Sequence, residues 1–331
     1  MRGRVALLAL SALVALVTVA CSPGDRGDPA PHRVEPSTLE DVRPHTGPFD
    51  GGAVAPPASG AWLGAWVRPA QLTQAGRVAA VRQYEATLGR PLKIVNTYRR
   101  LDEPFDTYSD RQLGKKGAVL MLSWATGDTR SITLGHSDRL IRTRAAELRR
   151  YGHPVLLRVR WEMDRPNLAA TMWSPEDYIA AWKHIRALFA EEGVRNVSWV
   201  WCPTAEGFAA GRAQAFYPGD DTVDWTCVDA YAGSRFAPLR DLLTPFLRWA
   251  ADHPKPIVVG EFGVARSWGP RTRSAWLREA ADFVASWPQI KAIAYFESDP
   301  DGNRESGQFR LTDDAGALAA YVEVARSPHF R

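Results

Sequence analysis

Residues 154–163, PVLLRVRWEM, and residues 256–264, PIVVGEFGV, decide the fold. Each is a short run of aliphatic and β-branched residues, the signature of a strand buried on both faces. Each also carries one carboxylate near its C-terminal end: Glu162 in the first, Glu261 in the second. Six further runs of the same kind accompany them: AWLGAWV (61–67), KIVNTY (93–98), AVLMLSW (118–124), VSWVWCP (197–203), DWTCVDAYA (224–232) and IKAIAYFES (290–298). The segments between have helical period. In SPEDYIAAWKHIRALFAEEG, Ser174 is a helix N-cap, Pro175 takes the first helical position, and Gly193 stops the helix. Tyr178, Ala181, Trp182, Ile185 and Phe189 share one face of it. HSDRLIRTRAAELRRYG and RSAWLREAADFVASW follow the same logic. Eight strand and helix units in about 270 residues predict one α/β domain over residues 61–331, a single (β/α)8 TIM barrel. A doubly wound open sheet is the competitor, but no GxGxxG follows the first strand.

The N-terminus reads differently. MRGRVALLALSALVALVTVAC has two Arg, an apolar run from Val5 to Ala20, and Cys21, which is the layout of an export signal. Cys21 after Thr-Val-Ala resembles a bacterial lipoprotein box, which implies cleavage and lipidation at Cys21; ordinary secretion is the alternative. Residues 22–60 are rich in Pro and Gly and contain one aromatic, Phe49, so an extended, disordered tether is expected there. The expected protein is exported and reaches the membrane only through its anchor.

The formal net charge of +4, from 41 Lys and Arg against 37 Asp and Glu, is too thinly spread to attract a polyanion, so no nucleic-acid partner is expected. Of three Cys, Cys202 and Cys227 remain after Cys21; an oxidising compartment permits them to pair, while neighbouring parallel strands seldom offer bridge geometry, so both states stay open. There is no CxxC and no HxxxH, hence no support for a metal site or cofactor. Neither a GxSxG elbow nor a phosphate-cradling Gly loop occurs, which removes serine hydrolases and nucleotide enzymes.

In a barrel the active site lies at the C-terminal ends of the strands. Glu162 and Glu261 end the fourth and seventh strands, three places apart, so inward-pointing side chains would face each other across the mouth. Either Glu alone reads equally well as a structural partner of an Arg. Two opposed carboxylates together are what cleavage of a glycosidic bond requires. The thirteen Trp, all after residue 61, fit a sugar ligand. Trp62, Trp66, Trp124, Trp173, Trp201, Trp225 and Trp268 lie at or beyond strand ends, where an indole can stack on a pyranose; Trp182, Trp249, Trp276 and Trp287 fall in helices and read as core. Asp229, Glu297 and Asp299 read as rim or hydrogen-bonding residues.

Over most of residues 61–320 the chain resembles glycoside hydrolase family 26, the β-mannanase family. The similarity is carried by RAAELRRYGHPVLLRVRWEMDRPN, MWSPEDYIAAWKHIRALF, VSWVWCPTAEG, FYPGDDTVDWTCVDAYAG, PIVVGEFGV and IKAIAYFES. It implies a retaining hydrolase of β-linked polysaccharide, acting as a monomer, with Glu162 as acid/base, Glu261 as nucleophile, Arg158 and Tyr231 around the nucleophile, and the carboxyl groups roughly 5 to 5.5 Å apart. Arg158, Arg160 and Glu162, spaced by two, are expected on one strand face. Glu162 should titrate high and Glu261 stay ionised. Trp161 stands where the family usually has His, so mannan as substrate is in question. Among the strand-end indoles, Trp66, Trp124, Trp201 and Trp268 join Trp161 as candidate sugar contacts. A barrel that binds glycan without cleaving it is the alternative.

Overall fold

The computed structural model describes residues 38–331. Eight parallel strands close into a barrel in sequential order: β1 (Trp62–Val67), β2 (Ile94–Arg100), β3 (Val119–Ala125), β4 (Val155–Val159), β5 (Val197–Trp201), β6 (Trp225–Ala232), β7 (Ile257–Val264) and β8 (Ile290–Glu297). Each expected strand is present, and helices follow the strands as the period predicts. The helix Pro175–Glu191 is capped by the Ser174 hydroxyl, which accepts from the Asp177 amide, and buries the predicted face. Trp182, Trp276 and Trp287 are buried in the layer between helices and sheet.

Strand alternation divides the barrel interior into levels. The end formed by the strand N-termini is apolar: Ile94, Met121, Leu156, Val200, Trp225, Val258 and Ala292 pack together, with Trp62 stacked on Trp225 at 6.0 Å. Val54, 3% exposed, inserts into this cluster. Its amide donates to the Ser198 hydroxyl at 2.8 Å, and the Trp225 indole N–H donates to the carbonyls of Gly51 and Val54 at 3.1 and 3.0 Å. A Cβ on Gly51 would sit 2.8 Å from that indole nitrogen, so only glycine fits the approach. Residues 51–54, expected in the tether, therefore close the end of the barrel, Gly51 and Val54 making the contacts. Composition averaged over 22–60 hid one Val that meets a preformed apolar opening, where burying a valine is worth about 1.5–3 kcal/mol. Residues 22–37 of the tether, Cys21 and the export signal lie outside the described residues.

Cys202 and Cys227 form a disulfide. β5 and β6 pair Val200 with Trp225 and Trp201 with Thr226. Continuing that register puts the two cysteines side by side facing inward, the arrangement that general strand geometry had made improbable. They mark the level where the interior turns from apolar to charged.

Candidate active site

β4 ends at Val159, earlier than its apolar run suggests, because Arg160 and Glu162 both adopt positive φ, 44° and 55°. Non-glycine residues in this region are strained and persist where the surroundings hold them. Here the Arg160 amide donates to the Trp124 carbonyl at 2.8 Å and the Glu162 amide to the Cys202 carbonyl at 2.7 Å, anchoring the segment to both neighbouring strands. The break overturns the expected common face of Arg158, Arg160 and Glu162. Arg158 points into the barrel, Arg160 lies beside the Trp161 ring at 5.8 Å, and Glu162 reaches the mouth.

Glu261 receives three donors. Arg158 Nη2 lies 2.5 Å and the Tyr98 hydroxyl 2.6 Å from Oε1, and the Tyr231 hydroxyl lies 2.6 Å from Oε2. Arg158, wholly buried, also makes a forked pair with Asp229 at 3.1 and 3.3 Å. Burial pulls the guanidinium down, but the charges of Asp229 and Glu261 outweigh it and its pKa is raised. Burial raises Asp229 well above the usual carboxylate range, with the charges of Glu261 and Glu162 acting in the same direction. Burial also raises both tyrosines well above the usual phenol value, reinforced by the Glu261 charge, so they remain donors. A Cβ on Gly260 would lie 2.6 Å from Arg158 Nη1 and 2.4 Å from the Cys227 sulfur; its absence gives the ion pair room.

Glu162 stands in a different environment. Among the described residues its one side-chain hydrogen-bond partner is Arg165, at 2.6 Å, whose own side chain is 45% exposed. Burial, then the Glu261 charge, pushes the Glu162 carboxyl up to about 7, against the pull of Arg165 and Arg158. One carboxylate oxygen each from Glu162, Asp229 and Glu261 lies within 4.8 Å of the others. The Arg158 guanidinium, bonded to two of the three acids, already supplies positive charge in this cluster.

Two residues of this site were not recognised from sequence. Asp229, read as a rim or hydrogen-bonding residue, is the latter: it is buried beside Glu261 and accepts from Arg158. Tyr98 ends the run KIVNTY, two residues before the end of β2, and the strand-end rule that selected Glu162 would have selected it too. It is held by Asn96, whose amide donates to it at 3.2 Å and accepts from Ser123 at 2.7 Å. Glu297 is also structural: it accepts from the amides of Leu311 and Thr312 and the Thr312 hydroxyl. Asp299 accepts from Arg266 and the Arg310 amide.

The Trp candidates separate by strand parity. Trp66 packs edge-on against Tyr98 at 4.9 Å, and Trp161 packs against Tyr98 at 5.1 Å with the Arg158 guanidinium 5.6 Å from its ring, so both line the mouth. Trp124 and Trp201 do not. Their neighbours Ser123 and Cys202 face inward, which turns both indoles outward, fully buried, Trp124 against Phe105 and Phe189, Trp201 against Phe208, Tyr217 and Trp249. Trp62 and Trp225 belong to the plugged end. Trp268, half-buried after β7, packs on Phe236 and donates to the Gly233 carbonyl at 2.7 Å.

A closed barrel carries two adjacent carboxylates at its C-terminal mouth, one desolvated and one held by an arginine and two tyrosines, the kind of pair that cleavage of a glycosidic bond calls for. Residues 123–263 match the model of Glycosyl hydrolase family 26. It is 28% identical over 286 residues to Endoglucanase H of Acetivibrio thermocellus, covering 80% of this chain and 30% of that protein. It is 31% identical over 147 residues to Beta-1,3-xylanase TXYA of a Vibrio species, covering 41% and 29%. The chain thus spans about 30% of the length of these curated relatives. Among solved structures, the catalytic domain of a family 26 endo-β-1,4-mannanase from Bacillus sp. JAMB-750 superimposes with a TM-score of 0.64 at 17% identity, covering 82% of this chain and 87% of that one. A modular endo-β-1,4-mannanase from Cellulomonas fimi gives 0.64 at 16% identity, covering 82% and 72%. At these identities the structural likeness speaks for the fold.

Proposed function

We propose that this chain is a retaining glycoside hydrolase of β-linked polysaccharide, with Glu261 as nucleophile and Glu162 as acid/base. The convergence of two carboxylates in unlike environments, within the short separation that a covalent intermediate requires, carries the proposal. Glu261 Oε1 has two donors and Oε2 one, so Oε2 keeps the freer lone pair for attack on the anomeric carbon. As that bond forms, the bond to the leaving oxygen breaks and Glu162 gives that oxygen its proton. Glu162, now a carboxylate, then takes a proton from water; the water oxygen bonds to the anomeric carbon, and the ester to Glu261 breaks with its electron pair returning to Glu261. Arg158 and the two tyrosines orient the nucleophile.

Unsubstituted β-mannan is disfavoured, and a β-glucan or β-xylan backbone is the preferred substrate. Trp161 occupies the wall beside the nucleophile, wedged between Tyr98 and Arg158. An indole is larger than an imidazole and cannot accept from a sugar hydroxyl. A buried hydroxyl left without a partner costs about 1–3 kcal/mol, several-fold to a few-hundred-fold in rate. The curated relatives, named as an endoglucanase and β-1,3-xylanases, support the same direction. A reducing-sugar assay of the chain on mannan, mixed-linkage β-glucan, laminarin and β-1,3-xylan tests this. Hydrolysis of one of the latter three with weak release from mannan is expected; robust mannan hydrolysis unchanged by Trp161→His would overturn the substrate assignment.

We further propose that the protein is exported and held at the membrane through Cys21. The apolar run and Cys21 support it. A Cys21→Ser variant is expected to leave the membrane fraction, and a wild type fully soluble after export would refute the anchor.

A further inference from the structure

Trp173 is an exception among the described indoles. It is 51% exposed, and its backbone sits at φ 58°, ψ −73°, the conformation of a strained γ-turn. An exposed indole recovers little burial to offset such strain, yet this side chain is fixed at several points. Its Nε1–H donates to Asp128 Oδ2 at 2.7 Å, and the Arg130 guanidinium covers one ring face at 4.4 Å. Asp128 is itself held as the N-cap of the helix Thr129–Thr133, where Oδ1 accepts from the Ser131 amide at 2.8 Å. Arg130 is tied to Asp177 at 3.1 Å, and the Thr129 hydroxyl donates to the carbonyls of Thr171 and Met172 at 3.2 and 3.0 Å. The result is a half-exposed indole in a fixed orientation, with a guanidinium over one face.

Its place in the fold matters as much. Asp128 follows β3 and Trp173 follows β4, so both leave from the C-terminal ends of the strands, on the side of the mouth. Trp173 lies on the same connection as Glu162, joined to it through Arg165 and the turns Pro166–Leu168 and Ala169–Met172.

We propose that Trp173 is a sugar-binding platform, a distal subsite on the β3–β4 side of the mouth that stacks on a pyranose of the polysaccharide remote from the bond being cut. The proposal rests on the hydrolase reading above and extends it to chain-length recognition. One ring face is taken by a cation, which leaves the other for the C–H face of a sugar, and immobilisation in advance reduces the ordering cost of binding.

The test compares the full chain with Trp173→Ala and Trp173→Phe on soluble mixed-linkage β-glucan and on a short aryl β-cellobioside. With Trp173→Ala, KM for the polysaccharide is expected to rise by about fivefold to tenfold, with kcat and the aryl-glycoside kinetics unchanged. Trp173→Phe is expected to recover most of the loss. Unchanged KM on the polysaccharide, or equal losses on both substrates, would overturn the platform. If the wild type hydrolyses neither of these nor laminarin, β-1,3-xylan or mannan, the hydrolase reading fails by itself, and electrophoresis in gels containing each of these polysaccharides still decides the platform. Retardation of the wild type that Trp173→Ala abolishes supports it; identical mobilities refute it.

Discussion

The two ends of the barrel are filled by the same alternation of side chains and solve burial in opposite ways. At the closed end Trp62, Trp225, Leu156, Val258 and the inserted Val54 exclude water with apolar surface, and the few polar atoms there, such as the Trp225 indole N–H, are satisfied by backbone. At the open end Asp229, Arg158 and Glu261 are buried as deeply, yet they are held together by charges and by the hydroxyl donors of Tyr98 and Tyr231. The first arrangement contributes stability; the second holds charge in a desolvated place, where it is costly unless paired and effective when a reaction needs it. The disulfide between Cys202 and Cys227 lies at the boundary.

If this division of labour holds, substitutions at the two ends should separate activity from stability. The largest effect is expected at the mouth. Glu261→Ala should abolish turnover of every substrate, while the forked pair that Arg158 keeps with Asp229 limits the fall of the unfolding midpoint to less than that of a closed-end truncation. Glu162→Ala should lose roughly 10²–10⁴-fold on polysaccharide, but spare the first step on substrates with good leaving groups, seen as a burst in stopped-flow release. Equal losses on both kinds of substrate would remove the acid/base assignment.

At the closed end Trp225→Ala should cost roughly 3–5 kcal/mol of stability, read from the denaturant midpoint, with KM unchanged in the surviving folded protein. A change in KM with stability intact would join the two regions that the comparison separates.

A smaller effect tests the electrostatics of Glu162. Its carboxyl is raised to about 7, so the proton it must donate is lost as pH rises through that value, and activity should fall along the alkaline limb there. The same shift has a stability counterpart. A group that binds its proton more tightly folded than unfolded favours the fold below its ordinary carboxylate value and loses that contribution as pH rises through about 7. Arg165 favours the charged form, so Arg165→Met should move the alkaline limb to higher pH, and Arg165→Lys should restore part of the original position. A limb that stays in place in both variants would mean Glu162 is not the group that titrates.

The smallest expected effect distinguishes the two tyrosines. Tyr98→Phe removes one of two donors on Glu261 Oε1, whereas Tyr231→Phe removes the single donor on Oε2. One hydrogen bond to a charged group is worth about 1.5–3 kcal/mol, so kcat/KM should fall in both variants and further in Tyr231→Phe.

The eight strands, their order and the positions of Glu162 and Glu261 were legible in the sequence, because a parallel barrel demands a short apolar run for each strand and the acids interrupt those runs at their ends. Arg158 and Tyr231 followed from the family resemblance. The plug at residues 51–54 was not legible, since Gly51 and Val54 acquire meaning only from a cavity built by residues far along the chain. The parity of Trp124 and Trp201 was equally hidden. Apolar residues face both sides of a parallel sheet, so the sequence cannot mark which ones enter the barrel, and a register shift of one residue exchanges them. The break after Val159, which sends Arg160 away from Glu162, and the cross-strand pairing that joins Cys202 to Cys227 likewise depend on backbone partners from neighbouring strands. The chain by itself determined which elements form and which acids they carry, because those follow from local period and composition. Only the tertiary structure decided which side chains meet, because burial, register and the sharing of Arg158 between Asp229 and Glu261 are set by residues separated by 71 and 103 positions.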